Sequence, residues 1–495
     1  MIFLIETLVM DLACVLMGIL FVGCSSPAVA RAPADLVPAT IASSTSIADR
    51  FRYAAEAREN AGLGFGYVAA IRENGKTKVL ASGKRSLEPT HSISEKDLLE
   101  IGSVSKQFTG ILIHLAAVEE KLSVDQRIDE FFPILKGTDT GSITIRELGL
   151  HSAGLPSWPE GLPIKDYRNP WADLGKDKVL AALAKYRRKP IPAGQTTYTR
   201  EYSNWGFVTL GILLEQIYGK NYKDLVENRV LKPLGMISSG VDRKTRKHGK
   251  WVPVVPPGLT LAGDATGPWD FESFAAATGG IESNAVDMGK FLAALENPPR
   301  GKLGEAISAS MITGIGWDSL PGATPIWKNG ATAAYTAIVL FDPSTKRGIY
   351  VGSDTSVLSD GLGVFALGFS NFDPLLTQAA ATRVPSEDEL SRLKGRYRNS
   401  KPADPNMPLK EIEIFESSGH LVARFNYGTE VDGSLLTPFN ADDVWNVFDG
   451  IYNRDGLRIL KSGIRLSTTA ADGTTVKIEL DKLPSNLQKF PALEK

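Results

Sequence analysis

Ser103 stands three residues before Lys106 in the stretch IGSVSKQFTG, Ile101 to Gly110. On a helix, residues three apart share a face, so the hydroxyl and the amine would stand side by side. A serine hydroxyl is a poor nucleophile without a neighbouring base. A lysine can be that base where burial or a nearby cation lowers its proton affinity. The unpaired N–H groups and positive dipole end of a helix N-terminus also suit an oxyanion. Together these point to acyl transfer through Ser103, with the lysine in the place of a histidine. The histidines at 91, 114, 151, 248 and 420 form no arrangement that reads as a catalytic triad or a metal site. The spacing by itself also fits a helix-capping serine beside a solvated lysine. About two Ser-x-x-Lys matches are expected by chance in a chain of this length, and a second one occurs at Ser391 and Lys394.

The elements around the pair can be read from pattern. Two strand-like runs in Phe65 to Lys84 flank Asn74-Gly75, a dipeptide that tolerates the positive φ of a tight hairpin. Val104, Phe108, Ile111, Leu112, Leu115 and Val118 recur at helical spacing behind Ser103. Further helices are expected over Trp205 to Gly219 and over Ala285 to Leu295, the latter entered through Ser283-Asn284. Two late strands flank the turn PSTK between Ala334 and Asp354. Strands open and close this region and helices fill its middle. That is an α+β fold on a mainly antiparallel sheet rather than alternating βαβ units. From about Pro385 the texture changes to alternating strand pairs, over Glu411 to Phe425 and Gly463 to Leu480. The expected organisation is a leader over residues 1–30, a Pro/Ala/Ser-rich tether over 31–46, a large domain over 47–375, a linker over 376–389 and a small all-β domain over 390–495.

Several stretches, in order, carry a family likeness. They are EIGSVSKQFTG, GSITIRELGLHSAGLP, PAGQTTYTREYSNWGFVTLGILLEQIYGK, ATGGIESNAVDMGKFLAAL and WKNGATAAYTAIVLFDP. With them the region from Phe65 to Ser356 resembles the serine β-lactamase and penicillin-binding protein superfamily. The likeness is to the class C branch with its related esterases and D-amino-acid peptidases. The resemblance implies a β-lactamase/transpeptidase-like antiparallel sheet flanked by helices, with a helical subdomain. It implies Ser103 as nucleophile, with Lys106 and Tyr202 moving its proton, the phenol acting as a lysine-stabilised phenolate. Asn204 of the Tyr-x-Asn motif would hold Lys106 and the substrate amide. Lys328, Asn329 and Gly330 would form the third motif, with Lys328 supplying positive charge and Gly330 close backbone approach. The N–H groups of Ser103 and Ala331 would form the oxyanion hole. No metal or organic cofactor is implied. The chain departs from the family pattern at Asn329, where threonine is usual, and at Ala333-Ala334, where Gly-Gly is common. Both departures weigh against a β-lactam substrate more than against acyl transfer as such. The C-terminal region, through ELSRLKGRYRN, more loosely resembles the lipocalin-like β-barrel modules attached to some D-amino-acid peptidases.

Lys and Arg number 55 against 56 Asp and Glu, a balance that argues against a nucleic-acid partner. Both cysteines, Cys14 and Cys24, lie near the N-terminus, so neither a disulfide nor a cysteine-ligated metal holds the remaining chain. The apolar run Leu12 to Gly23 reads as an export leader, and two cleavage sites compete within it. One follows Ala28 to Ala30. The other is FVGC, at which Cys24 would be lipidated and tie the chain to a membrane. Two functions stay open on the sequence. One is an exported serine hydrolase acting on a peptide, an ester or a β-lactam. The other is a penicillin- or peptidoglycan-binding sensor of the same fold that turns over poorly. The oligomeric state is not legible.

Overall fold

The computed structural model describes residues 45–484, with breaks at 61–63, 87–90, 165–168, 260–264, 320–323, 356–358, 370–385, 400–408, 427–430, 439–443, 449–454 and 470–474 and at a few single positions or pairs. The expected leader with Cys24, the tether up to residue 44 and the linker residues 376–385 lie outside the described residues. Among the described residues no helix is long and apolar enough to cross a membrane. The chain divides into two compact units.

One unit comprises Gly66–Gly258 and Thr266–Leu367. Its main sheet has five antiparallel strands, in the order Ile326–Ala331, Thr336–Asp342, Arg347–Ser353, Gly66–Glu73 and Lys76–Gly83. The hairpin that opens it turns at Asn74 and Gly75, with φ of 51° and 72°. The central strands are apolar on both faces, as strands covered from two sides must be. The helix Ala285–Glu296, N-capped by Asn284, lies on the face that carries Ala70, where Gly289 allows close approach. The helix Asp360–Leu367 lies on the opposite face, where Gly363 meets Ile338 and Val351.

The helical subdomain is built on Ser105–Val118 and Asn204–Tyr218. Both are buried almost all round, which marks core helices rather than surface ones. Gly219 ends the second helix in the left-handed region, φ 61°. A three-stranded sheet of Leu99–Glu100, Ile281–Ser283 and Gly240–Val241 supports the turn that leads into the first helix.

The other unit comprises Met1–Phe65, Leu259–Ala265 and Gly368–Lys495. Eight antiparallel strands between Gly395 and Lys482 close into a barrel, the first (Gly395–Asn399) pairing with the last (Thr475–Lys482). Closure leaves no unpaired edge to aggregate. Tyr397, Ile412, Ile414, Leu421, Ile464, Leu466 and Leu480 are among its core. The strand pairs expected over Glu411 to Phe425 and Gly463 to Leu480 are present, as Glu411–Ser417 with His420–Asn426 and Gly463–Thr469 with Thr475–Lys482. Pattern reading missed Val431–Pro438, Val444–Phe448 and Asp455–Ile459, and a helix, Glu387–Leu393, that starts inside the expected linker.

Candidate active site

Ser103 sits in a tight helical turn, Gly102–Val104, just ahead of the helix that begins at Ser105. That helix has no side-chain cap, so the Ser103 hydroxyl is not spent on backbone N–H groups. It meets two other side chains instead. Tyr202 Oη donates to Ser103 Oγ at 2.7 Å, and Lys106 Nζ lies 2.9 Å from the same oxygen. Lys106 Nζ is also 2.8 Å from Asn204 Oδ1 and 2.6 Å from the Thr278 carbonyl. A neutral amine has two N–H groups and one lone pair. Donating to Asn204 and Thr278 leaves the lone pair for the Ser103 hydroxyl. Lys106 is fully buried, and burial, helped by the nearby Lys328 charge, pushes its pKa well below the ordinary lysine value. Both effects work against the ammonium form and toward the free amine.

Tyr202 behaves oppositely. Burial raises its pKa, and the positive charge of Lys328 only partly offsets this. It is a phenol that donates to Ser103. The phenolate expected from the resemblance is not the form this environment favours, because desolvation outweighs the attraction of Lys328.

Asn204 is free to reach Lys106 because its neighbour does the capping. Ser203 Oγ accepts from Gly206 N at 3.0 Å, and Asn204 Nδ2 goes to Ser157 Oγ at 3.1 Å. Pattern reading passed over the residue that aims this loop. His151 is buried, in the left-handed region with φ 59°. Its Nδ1 accepts from Ser203 N at 3.0 Å, its carbonyl accepts from Glu201 N at 2.8 Å, and its ring lies 4.5 Å from that of Tyr202. Burial, with Arg200 nearby, pushes its pKa well down, so it stays neutral and acts as a hydrogen-bonded prop. The left-handed turn that places it leaves no signature in its residue type.

The edge strand Ile326–Ala331 closes the site. Strand alternation divides its side chains. Lys328 pairs with Val339, which pairs with Tyr350, which pairs with Ala70, so Lys328 faces the helical subdomain. Gly330 shares that face, and a Cβ there would come within 2.6 Å of Ser103 N. A Cβ on Gly102, φ 50°, would in turn come within 2.7 Å of Ala331 N. The two glycines let strand and turn interlock. Thr332 N donates to the Tyr335 carbonyl at 3.0 Å, so the preceding Ala331–Thr336 pair is a non-bonded one. The Ala331 N–H therefore points off the sheet edge, on the same seam as the Ser103 N–H. Asn329 falls on the other face, where its Nδ2 donates to Asp360 Oδ2 at 2.6 Å. The structure thus gathers Ser103, Lys106, Tyr202, Asn204, Lys328 and the Gly330–Ala331 backbone, and it does not bring the Asn329 side chain to them.

Lys328 has a partner that the sequence did not disclose. Its Nζ lies 2.6 Å from Asp318 Oδ2, and Arg200 Nη2 lies 2.5 Å from Asp318 Oδ1. Burial alone would raise the pKa of Asp318, but Lys328 and Arg200 hold it down at about 2. Burial would lower that of Lys328, but Asp318 holds it up.

The family model described as Beta-lactamase matches residues 55–362, well over half of the chain. The chain belongs to the β-lactamase family. Curated relatives named Beta-lactamase come from Providencia stuartii, 28% identical over 34% of this chain and 41% of that protein, and from Pseudomonas fluorescens, 28% identical over 52% and 70%. The chain thus spans less than half the length of the first of these. Among solved structures, a β-lactamase/D-alanine carboxypeptidase from Pseudomonas syringae is similar at a TM-score of 0.56 with 20% identity, covering 65% of this chain and 98% of its own. An octameric penicillin-binding protein homologue from Pyrococcus abyssi has a TM-score of 0.50 with 19% identity and covers 88% of this chain and 100% of its own. At these identities the structures share the fold. In this β-lactamase-family chain the matched span holds every residue gathered at the site.

Proposed function

We propose that the chain is a serine hydrolase that works through an acyl-enzyme on an amide or ester carbonyl. The observation that carries this is the convergence of Tyr202 Oη and Lys106 Nζ on Ser103 Oγ, at 2.7 and 2.9 Å. Ser103 Oγ attacks the carbonyl carbon while its proton passes to the free amine of Lys106. The N–H groups of Ser103 and Ala331 hold the oxyanion. As the tetrahedral intermediate collapses, the carbonyl re-forms and the leaving-group bond breaks. Tyr202 gives its proton to the leaving group and is reprotonated from Lys106, and the acyl group stays on Ser103 Oγ. Water then attacks the acyl-enzyme by the reverse relay and releases the acid. Asn204 keeps the Lys106 lone pair aimed at Ser103. Peptides of D-amino acids and carboxylic esters fit this chemistry ahead of β-lactams. The work is done in the cell envelope, reached through the leader over residues 1–30, with lipid on Cys24 as the anchored form. The barrel is an accessory to the acyl-transfer unit over Gly66–Gly258 and Thr266–Leu367.

The test uses the full chain with p-nitrophenyl butyrate and a fluorescent penicillin. The expected result is chromophore release that is lost in Ser103→Ala. Lasting penicillin label with no turnover of any ester or peptide would favour the sensor instead. Turnover that survives Ser103→Ala refutes the mechanism.

A further inference from the structure

A lysine on the edge strand of an acyl-transfer cleft is an obvious receptor for a carboxylate on the substrate. Here that receptor is occupied from within. Lys328 and Asp318 are 1% and 7% exposed at the side chain and lie 2.6 Å apart. Asp318 N donates to the Trp327 carbonyl at 2.9 Å, which fixes the carboxylate beside the strand. Its second oxygen takes Arg200, two residues before Tyr202. Asn329, the other third-motif side chain able to address a carboxylate, is on the opposite face with Asp360. Lys106 Nζ is spent on Ser103, Asn204 and the Thr278 carbonyl.

We propose that Asp318 is a specificity-determining residue: by holding Lys328 it fits the cleft to an acyl donor with no negative charge beside the scissile bond, an ester or a blocked amide rather than a compound with a free carboxylate there. This rests on the acyl-enzyme reading above and deepens it. An incoming carboxylate would have to displace a partner that is already bound and oriented at no cost in translational freedom. If it did not displace it, two carboxylates would share one buried ammonium, which is repulsive. The remaining positive charge of the cluster sits on Arg200, whose side chain is 34% exposed and so screened by water.

The test compares phenyl acetate with 3-carboxyphenyl acetate on the full-length protein. Acylation by each is read by its competition with fluorophosphonate labelling of Ser103. The wild type is expected to favour the uncharged ester by about tenfold or more in kcat/KM. Asp318→Asn frees Lys328 and is expected to shift that ratio by about tenfold toward the charged ester, chiefly through KM. Arg200→Gln leaves the Lys328–Asp318 pair in place and is expected to keep the wild-type preference, which covers the case where Asp318→Asn does not fold. Equal or inverted preference in the wild type overturns the proposal while leaving the acyl-enzyme intact. Absence of any Ser103 labelling overturns the acyl-enzyme itself, and this proposal with it.

Discussion

Glu100 and Glu282 face each other directly across the antiparallel strands Leu99–Glu100 and Ile281–Ser283, and both are buried. Glu100 accepts from Trp269 N at 2.9 Å and from Thr332 Oγ1 at 2.7 Å, and Glu282 accepts from Arg243 N at 3.0 Å. Burial raises both pKa values from 4.5 to about 8, with added repulsion from Asp270 on Glu100 and from Glu100 and Asp242 on Glu282, against the attraction of Arg243. The folded state therefore holds protons here that the unfolded chain has lost. Stability from this pair is complete below pH 4.5 and is lost as pH rises toward 8. Each carboxyl contributes a fall of about 1.4 kcal/mol per pH unit inside that window. Glu282→Gln keeps an oxygen for Arg243 N and removes one titration. Measured by urea unfolding with tryptophan fluorescence, the variant should gain on the wild type by about 2–3 kcal/mol between pH 5.5 and 7.5. Taking the difference between the two proteins cancels the shared titrating groups that lie away from Glu282, while Glu100, repelled less in the variant, adds to the gain. A stability difference that stays flat over those two pH units refutes the buried, protonated pair.

The free-amine assignment predicts that kcat/KM falls on the acid side as Lys106 takes up a proton, at a pH well below that at which an ordinary lysine titrates. Lys106→Arg, which stays charged, should lose about 10²–10⁴ in kcat, read with the same ester. Gly330→Ala pushes a methyl against Ser103 N and should cost about 1–3 kcal/mol in urea unfolding together with most of the activity. His151→Phe keeps the ring beside Tyr202 but leaves the Ser203 N–H unpaired. It should cost about 1–3 kcal/mol and lower kcat more than it raises KM.

Local chemistry made part of this molecule legible in advance. The Asn74-Gly75 hairpin, the Asn284 cap and the Gly219 stop each depend on one or two residues acting on their own backbone. The Ser103–Lys106 pairing depends on three residues of helical rise. What escaped depends on distance along the chain. His151 and Asp318 reach the site from loops 52 and 10 residues from the groups they bond, and nothing in their residue types announces it. Ser386 and Glu389 show the serine-then-glutamate spacing of a helix start, and Ser386 Oγ does accept from Glu389 N at 3.1 Å, so the helix in the expected linker had a signal that went unread. The strand runs at Val431–Pro438 and Asp455–Ile459 carry glycines and acidic residues that blur a two-residue period. Their barrel partners supply the order that the local sequence lacks.

The edge strand Ile326–Ala331 acts as a partition. Consecutive positions answer to different compartments: residue 328 to the chemistry, residue 329 to the packing of a helix behind the sheet. Selection, or an engineer, can therefore retune substrate preference and thermal robustness through adjacent codons without the two traits being tied to each other.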